Sequence, residues 1–242
     1  MVAYNHTTWQ RVFGNPSDSV LLAPATGPAF SLVSRPGGAI GLVENQVFTA
    51  AVNIARAALD RAYAILNLVI VGTPPGVGLV PADFDRHFEY CFRVGAAPVA
   101  SWQTVRDNLV RIRNGLWSPA LQIVDKNPNR AGAAVGYVRC AWSEAVRFAD
   151  EAREVSFAGR IHVRFGSYNA ANTAANQNGA ASTIAHEATH KFTGARDWAY
   201  IGGGSIGWRA MPPGTPLPFG NLTNAQALNN ADSYSELAMA MP

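Results

Sequence analysis

The stretch Ser182-Thr-Ile-Ala-His-Glu-Ala-Thr-His-Lys-Phe-Thr-Gly-Ala-Arg-Asp-Trp-Ala-Tyr200 gathers two histidines, a glutamate, an aspartate and a tyrosine in a chain that has five histidines in all. His186 and His190 are four residues apart. On a helix they lie one turn above the other on one face, where both imidazoles reach one tetrahedral ion at roughly 2.0–2.1 Å. Glu187 stands beside the first histidine and can turn toward a metal-bound water without being a ligand. This is the HExxH arrangement, in which zinc lowers the pKa of its water to about 7 and the glutamate takes the proton as general base. Two histidines leave such a site one ligand short. Gly194 is placed to end the helix and turn the chain, which brings Asp197 within reach of the same ion and leaves Tyr200 able to offer its phenol to an oxyanion. Glu236 is a competing carboxylate, set on a later segment that the fold would have to bring back.

Outward from this stretch, Ser182 or Thr183 is predicted to cap the motif helix. Before it comes a polar loop (NAANTAANQNG), and before that Arg160-Ile-His-Val-Arg-Phe165, whose alternation predicts a half-buried strand with Arg160, His162 and Arg164 on its solvated face. A long helix is predicted from Asn45 to Val71, with Phe48, Val52, Ala55, Leu59, Leu66 and Val69 on one stripe and Arg56, Asp60 and Arg61 off it. A second helix is predicted to be capped by Ser101, to carry Trp102, Val105, Leu109 and Ile112 inward, and to stop at Gly115. A third is expected over about 141–155. Residues 1–44, rich in Gly, Pro and Ser, read as an arm or small β segment with short apolar runs at Ser19–Leu22 and Phe30–Val33. Residues 201–224 hold too much Gly and Pro for regular structure, and the last helix is expected to start near Asn224 or Asn229. The fold class expected is α+β, mostly helical with a small sheet, in two parts: 1–44 and a 45–242 domain.

The chain has 242 residues, 48% of them hydrophobic, ample for a buried core, and only 14% charged, with a net charge of +3. Basic residues form no dense cluster, so nucleic acid is not an expected partner. No apolar run reaches the eighteen or so residues of a membrane span, and no basic segment followed by an apolar run marks a secretory leader. Arginine supplies all the basic residues except Lys126 and Lys191, and alanine is abundant, as expected of a GC-rich bacterial genome. Cys91 and Cys140 either pair as one disulfide or stay reduced.

Gly194-Ala-Arg-Asp-Trp-Ala-Tyr200 resembles the GTxDxxY segment of the aspzincins, the deuterolysin and peptidyl-lysine metallopeptidase group, and Asn230-Ala-Asp-Ser-Tyr234 is similar to the NADSY that opens their last helix. The likeness spans roughly residues 45 to 242. It implies a zincin-like fold, one Zn2+ per chain held by His186, His190 and Asp197, Glu187 as base, and Tyr200 stabilising the transition state. Asp232 and Tyr234 become candidates for substrate contact or for bracing the active helix, and the strand before the motif helix a candidate to pair with extended substrate. The sequence departs from the family at Ala195, Ile201 and Lys191. Ser235 stands where lysine-specific members carry an acid, with Glu236 one place on, so lysine preference is not carried over.

The function expected is therefore a zinc metallo-endopeptidase acting on polypeptide, with a gluzincin-type site using Glu236, or a zinc-stabilised non-catalytic binding domain, as alternatives. Secretion or delivery from a bacterial cell as an effector or toxin, with residues 1–44 meeting a delivery partner, is the expected setting. A cytoplasmic location stays open.

Overall fold

The computed structural model describes residues 29–93, 99–126, 134–138, 160–200 and 219–241. The longest element is α1 (Leu42–Ile70), which starts three residues before the sequence pattern suggests because the Gly41 N–H donates to Glu44 Oε2 at 2.8 Å and closes the first turn. Its apolar stripe, Val47, Phe48, Ala51, Val52, Ala55, Leu59 and Leu66 among others, is fully buried. Arg56, expected off that stripe, is only 2% exposed. Its Nε donates to Leu116 O at 2.8 Å and its guanidinium lies over the rings of Phe30 and Trp117.

Two helices follow. The sequence reading did not foresee α2 (Phe84–Phe92), a short element that buries Phe84, Phe88 and Phe92. In α3 (Val99–Leu116), Ser101 lies inside the helix instead of capping it, and the helix ends one residue past Gly115, close to where the sequence placed its stop. A Cβ at Gly115 would sit 2.3 Å from the Phe192 ring, so glycine is there to let a neighbouring helix approach.

The sheet combines β1 (Ser31–Val33), β2 (Gln122–Asp125), β3 (Gly136–Tyr137) and β4 (Arg160–Val163) in the order β1-β2-β4-β3. The β1–β2 and β2–β4 pairs are parallel, with Ser31 opposite Gln122 and Gln122 opposite Arg160, whereas β3 runs antiparallel to β4. Thus β4, the strand expected to pair with substrate, is interior, and among the described residues β1 and β3 are the edges. His162, expected on a solvated face, is 7% exposed because the Tyr137 ring stacks on it at 4.4 Å.

The motif helix is α4 (Ala174–Thr193), longer than expected by more than two turns. Thr173 caps it, accepting from the Asn176 N–H at 3.3 Å, while Thr183 spends its hydroxyl on Gly179 O and Tyr168 and caps nothing. Gly194 ends the helix in the left-handed region, at φ 70°, as its position suggests. The helix is central: it packs on α1, α3, β4 and the C-terminal helix.

The expected last helix is two, α5 (Asn224–Leu228) and α6 (Ala231–Ala240), with Asn230 between them. The result is a mostly helical α+β fold with a small mixed four-stranded sheet, in which β1 joins the strands of the later chain. Among the described residues no helix is long and apolar enough to cross a membrane. Cys91 is a buried free thiol, its Sγ 3.7 Å from His87 Nε2. Its candidate partner Cys140, the helix expected over 141–155, the run at Ser19–Leu22, and 201–218 lie outside the described residues.

Candidate metal centre

Helix α4 presents His186 and His190 one turn apart, and the αL residue Gly194 turns the chain so that Asp197 comes back over them. His190 Nε2 lies 3.0 Å from His186 Nε2, and Asp197 Oδ1 lies 3.1 Å from the first histidine and 3.0 Å from the second. The side chains are 10%, 11% and 13% exposed. Among the described residues this is the group of donors close enough to hold a metal ion. Glu236, the competing carboxylate, is not part of it.

The hydrogen bonds behind the rings decide what the front can do. His190 Nδ1 donates to Ala195 O at 2.6 Å, and a carbonyl only accepts, so the proton of the neutral ring is on Nδ1. His186 Nδ1 donates likewise to Asp232 Oδ1 at 2.6 Å. Both Nε2 atoms then offer bare lone pairs, directed at each other and at a carboxylate oxygen. Asp197 Oδ1 itself is buried and takes no well-directed hydrogen bond. Three acceptors at this separation repel unless a proton or a metal ion lies among them. Donors held 2.0–2.1 Å from one tetrahedral ion are roughly 3.3 Å apart, close to the observed spacing, so the residues present fit such an ion.

Protons are the competitors. Burial opposes charge on His186, but Asp197 and Asp232 outweigh it and raise its pKa well above the ordinary value. The same contest, with Asp197 as the main carboxylate, raises His190. Burial would raise Asp197, yet the two histidines hold it far below the usual carboxylate range. Glu187, 6% exposed, is raised chiefly by burial, with the histidines pulling the other way. Tyr200 stacks its ring on His186 at 5.5 Å, and burial together with Asp197 raises its hydroxyl, which stays protonated at neutral pH.

The structure separates the two remaining candidates. Asp232 touches His186, whereas the Tyr234 hydroxyl receives Asn108 Nδ2 at 2.6 Å and donates to Leu228 O at 2.8 Å, fully buried away from the donors. Glu236, one turn beyond Asp232, is 8% exposed with an unpartnered Oε1, and burial pushes it up to about 7. Asn230 has a role that motif spacing alone does not reveal. Its Oδ1 accepts from the Trp198 and Ala199 N–H groups at 2.8 and 3.1 Å, and a backbone bridge joins it to Arg196, so it clips the Asp197 loop to the start of α6. At Ala195 it is the backbone oxygen, and not the side chain, that holds His190. Compared with known proteins, the chain matches no family model and no curated sequence.

Proposed function

We propose that the protein is a zinc-dependent metallo-endopeptidase of the aspzincin type, with a zincin-like fold. The reading is carried by one observation: the Nε2 atoms of two histidines and a buried carboxylate oxygen converge to within 3.0–3.1 Å of one another. Nitrogen and oxygen donors of this kind, three in number with one position left open, suit catalytic zinc. When bound, zinc supplies Lewis acidity and lowers the pKa of a water to about 7.

The chain's own groups supply the rest. Glu187 adjoins His186 on the same helix, and its raised pKa suits it to accept a proton and pass it to a leaving amine. Tyr200 keeps its O–H and lies against His186, where it can donate to an oxygen that gains charge only in the transition state. Asp232 and Ala195 O fix the ring orientations, so the histidines need not reorganise. An extended polypeptide would pair at β3, the edge strand beside β4 among the described residues, and not at the interior β4. The setting expected from the sequence, a bacterial effector or toxin, belongs to the same proposal.

The test is metal content with a paired variant. Protein never exposed to chelator should carry about one zinc per chain, and Glu187→Gln should keep that zinc while losing nearly all cleavage of a casein substrate. Protein without transition metal, or a Glu187→Gln variant at the wild-type rate, would end the reading. Zinc without cleavage in either form would favour a zinc-stabilised binding domain.

A further inference from the structure

The edge strand β3 carries a glycine at the point where it meets Glu187. A Cβ built on Gly136 would lie 2.6 Å from Glu187 Oε1, 2.8 Å from its Cγ and 3.0 Å from its Cδ, closer than non-bonded carbon tolerates. The backbone does not ask for glycine here. Gly136 is a strand residue opposite Val163 and is not among the glycines with positive φ. What excludes a side chain is Glu187 itself.

The strand behind that contact is pinned at several points. The Arg164 N–H donates to Val135 O at 2.7 Å, and Lys126 Nζ donates to Ala134 O at 2.6 Å from the end of β2. On the other side of Gly136, the Tyr137 ring lies parallel to that of His162, 4° between planes. Lys126 is 1% exposed, and its own N–H is bonded to Val163 O at 2.9 Å, so the anchor is itself fixed. A wall held in this way does not yield to an added methyl group. The terminal carboxylate of a glutamate does, because its torsions are soft.

We propose that Gly136 is a positioning residue for Glu187: its missing side chain is the recess that receives the carboxylate, and the pinned strand sets where that carboxylate stands relative to His186, His190 and Asp197. The role in catalysis rests on the metallopeptidase reading, whereas the recess rests on geometry alone. A Gly136→Ala chain with zinc supplied should keep the metal with wild-type affinity. Its kcat should fall about 10²-fold, the loss that a displacement of about 1 Å produces, with KM changed only slightly. Its crystal structure should show the Glu187 carboxylate displaced and both histidines in place. Glu187 unmoved, a wild-type kcat, or loss of zinc would each overturn the proposal.

Stability gives a readout independent of turnover. Gly136→Ala should lower the melting temperature when Glu187 is present and cost measurably less in a Glu187→Ala background, where the recess is vacant. Equal costs in the two backgrounds overturn the recess. Should Gly136→Ala fail to fold, the double variant should still fold, and its failure would count against the proposal too. If the wild type cleaves no peptide, the metallopeptidase reading falls, while this coupling and the crystal structure still decide the recess.

Discussion

Asp197 and Glu236 are both buried carboxylates near the same pair of helices, yet their surroundings assign them different work. Asp197 faces the two histidine Nε2 atoms and is held ionised by those rings; Glu236 is pushed up to about 7 by burial and by Asp232. A ligand must be ionised when the metal arrives, so the first is prepared for the task and the second is not. Asp197→Ala should therefore weaken zinc binding by more than the roughly 10–100-fold typical of losing a group behind a ligand, while Glu236→Ala should leave zinc affinity unchanged. Zinc titration against a competing chelator reads both, and the opposite ranking would move the third ligand to Glu236.

At the scale of elements, the centre depends on how three of them meet: α4, the loop from Gly194 to Tyr200, and the start of α6. Asn230→Ala would remove the acceptor of two loop N–H groups while leaving α4 intact. It should cost about 1–3 kcal/mol of stability, measured by urea unfolding, and weaken zinc binding about 10–100-fold; a variant with wild-type affinity would show that the loop holds Asp197 unaided. Gly115→Ala tests a different junction. The added methyl group meets the Phe192 ring between α3 and α4 and should destabilise by about 1–3 kcal/mol, whatever the protein's activity. These junctions also mark where the sequence stopped being legible. The stripe of α1, the Gly194 stop and the ligand spacing could be read locally, because each depends on residues within a turn or two. Arg56, Gly115, His162 and Thr183 could not, since each was decided by a partner far along the chain: Leu116 O, Phe192, Tyr137 and Tyr168. The short helix α2 does carry a local signal, with Phe84, His87, Phe88, Cys91 and Phe92 at helical spacing, but over little more than two turns, whereas Gly136 left no signal at all, because its significance lies in the absence of a side chain opposite Glu187.

For the whole molecule, protons and metal compete for the same three atoms, and the sign of the competition is fixed. In the metal-free protein the raised histidines stabilise the fold below about pH 6.5, their unfolded value, and that contribution is lost as pH rises through their folded values. The depressed Asp197 stabilises above about pH 3.9, and its share is lost only as pH falls through its folded value. Zinc needs the histidines deprotonated, so the rise in melting temperature on adding zinc should grow from pH 5.5 to pH 8, approaching the equivalent of about 4 kcal/mol when free zinc exceeds Kd a thousandfold. A zinc increment that stays flat or shrinks with pH would contradict the ligand set. The register of the sheet carries a further consequence, for the speed of assembly. Ser31 pairs with Gln122 and Gln122 with Arg160, so two of the three strand pairings are parallel and join distant parts of the chain. Such topologies close long loops before contacts repay them, which places refolding toward the slow, millisecond-to-second end of the range. Asp197 reaches the histidines through a loop clipped by Asn230, late in the chain, so zinc should act after the rate-limiting step: it should slow unfolding and leave the refolding rate unchanged. Stopped-flow traces in which zinc accelerates refolding would instead place the centre in the folding nucleus.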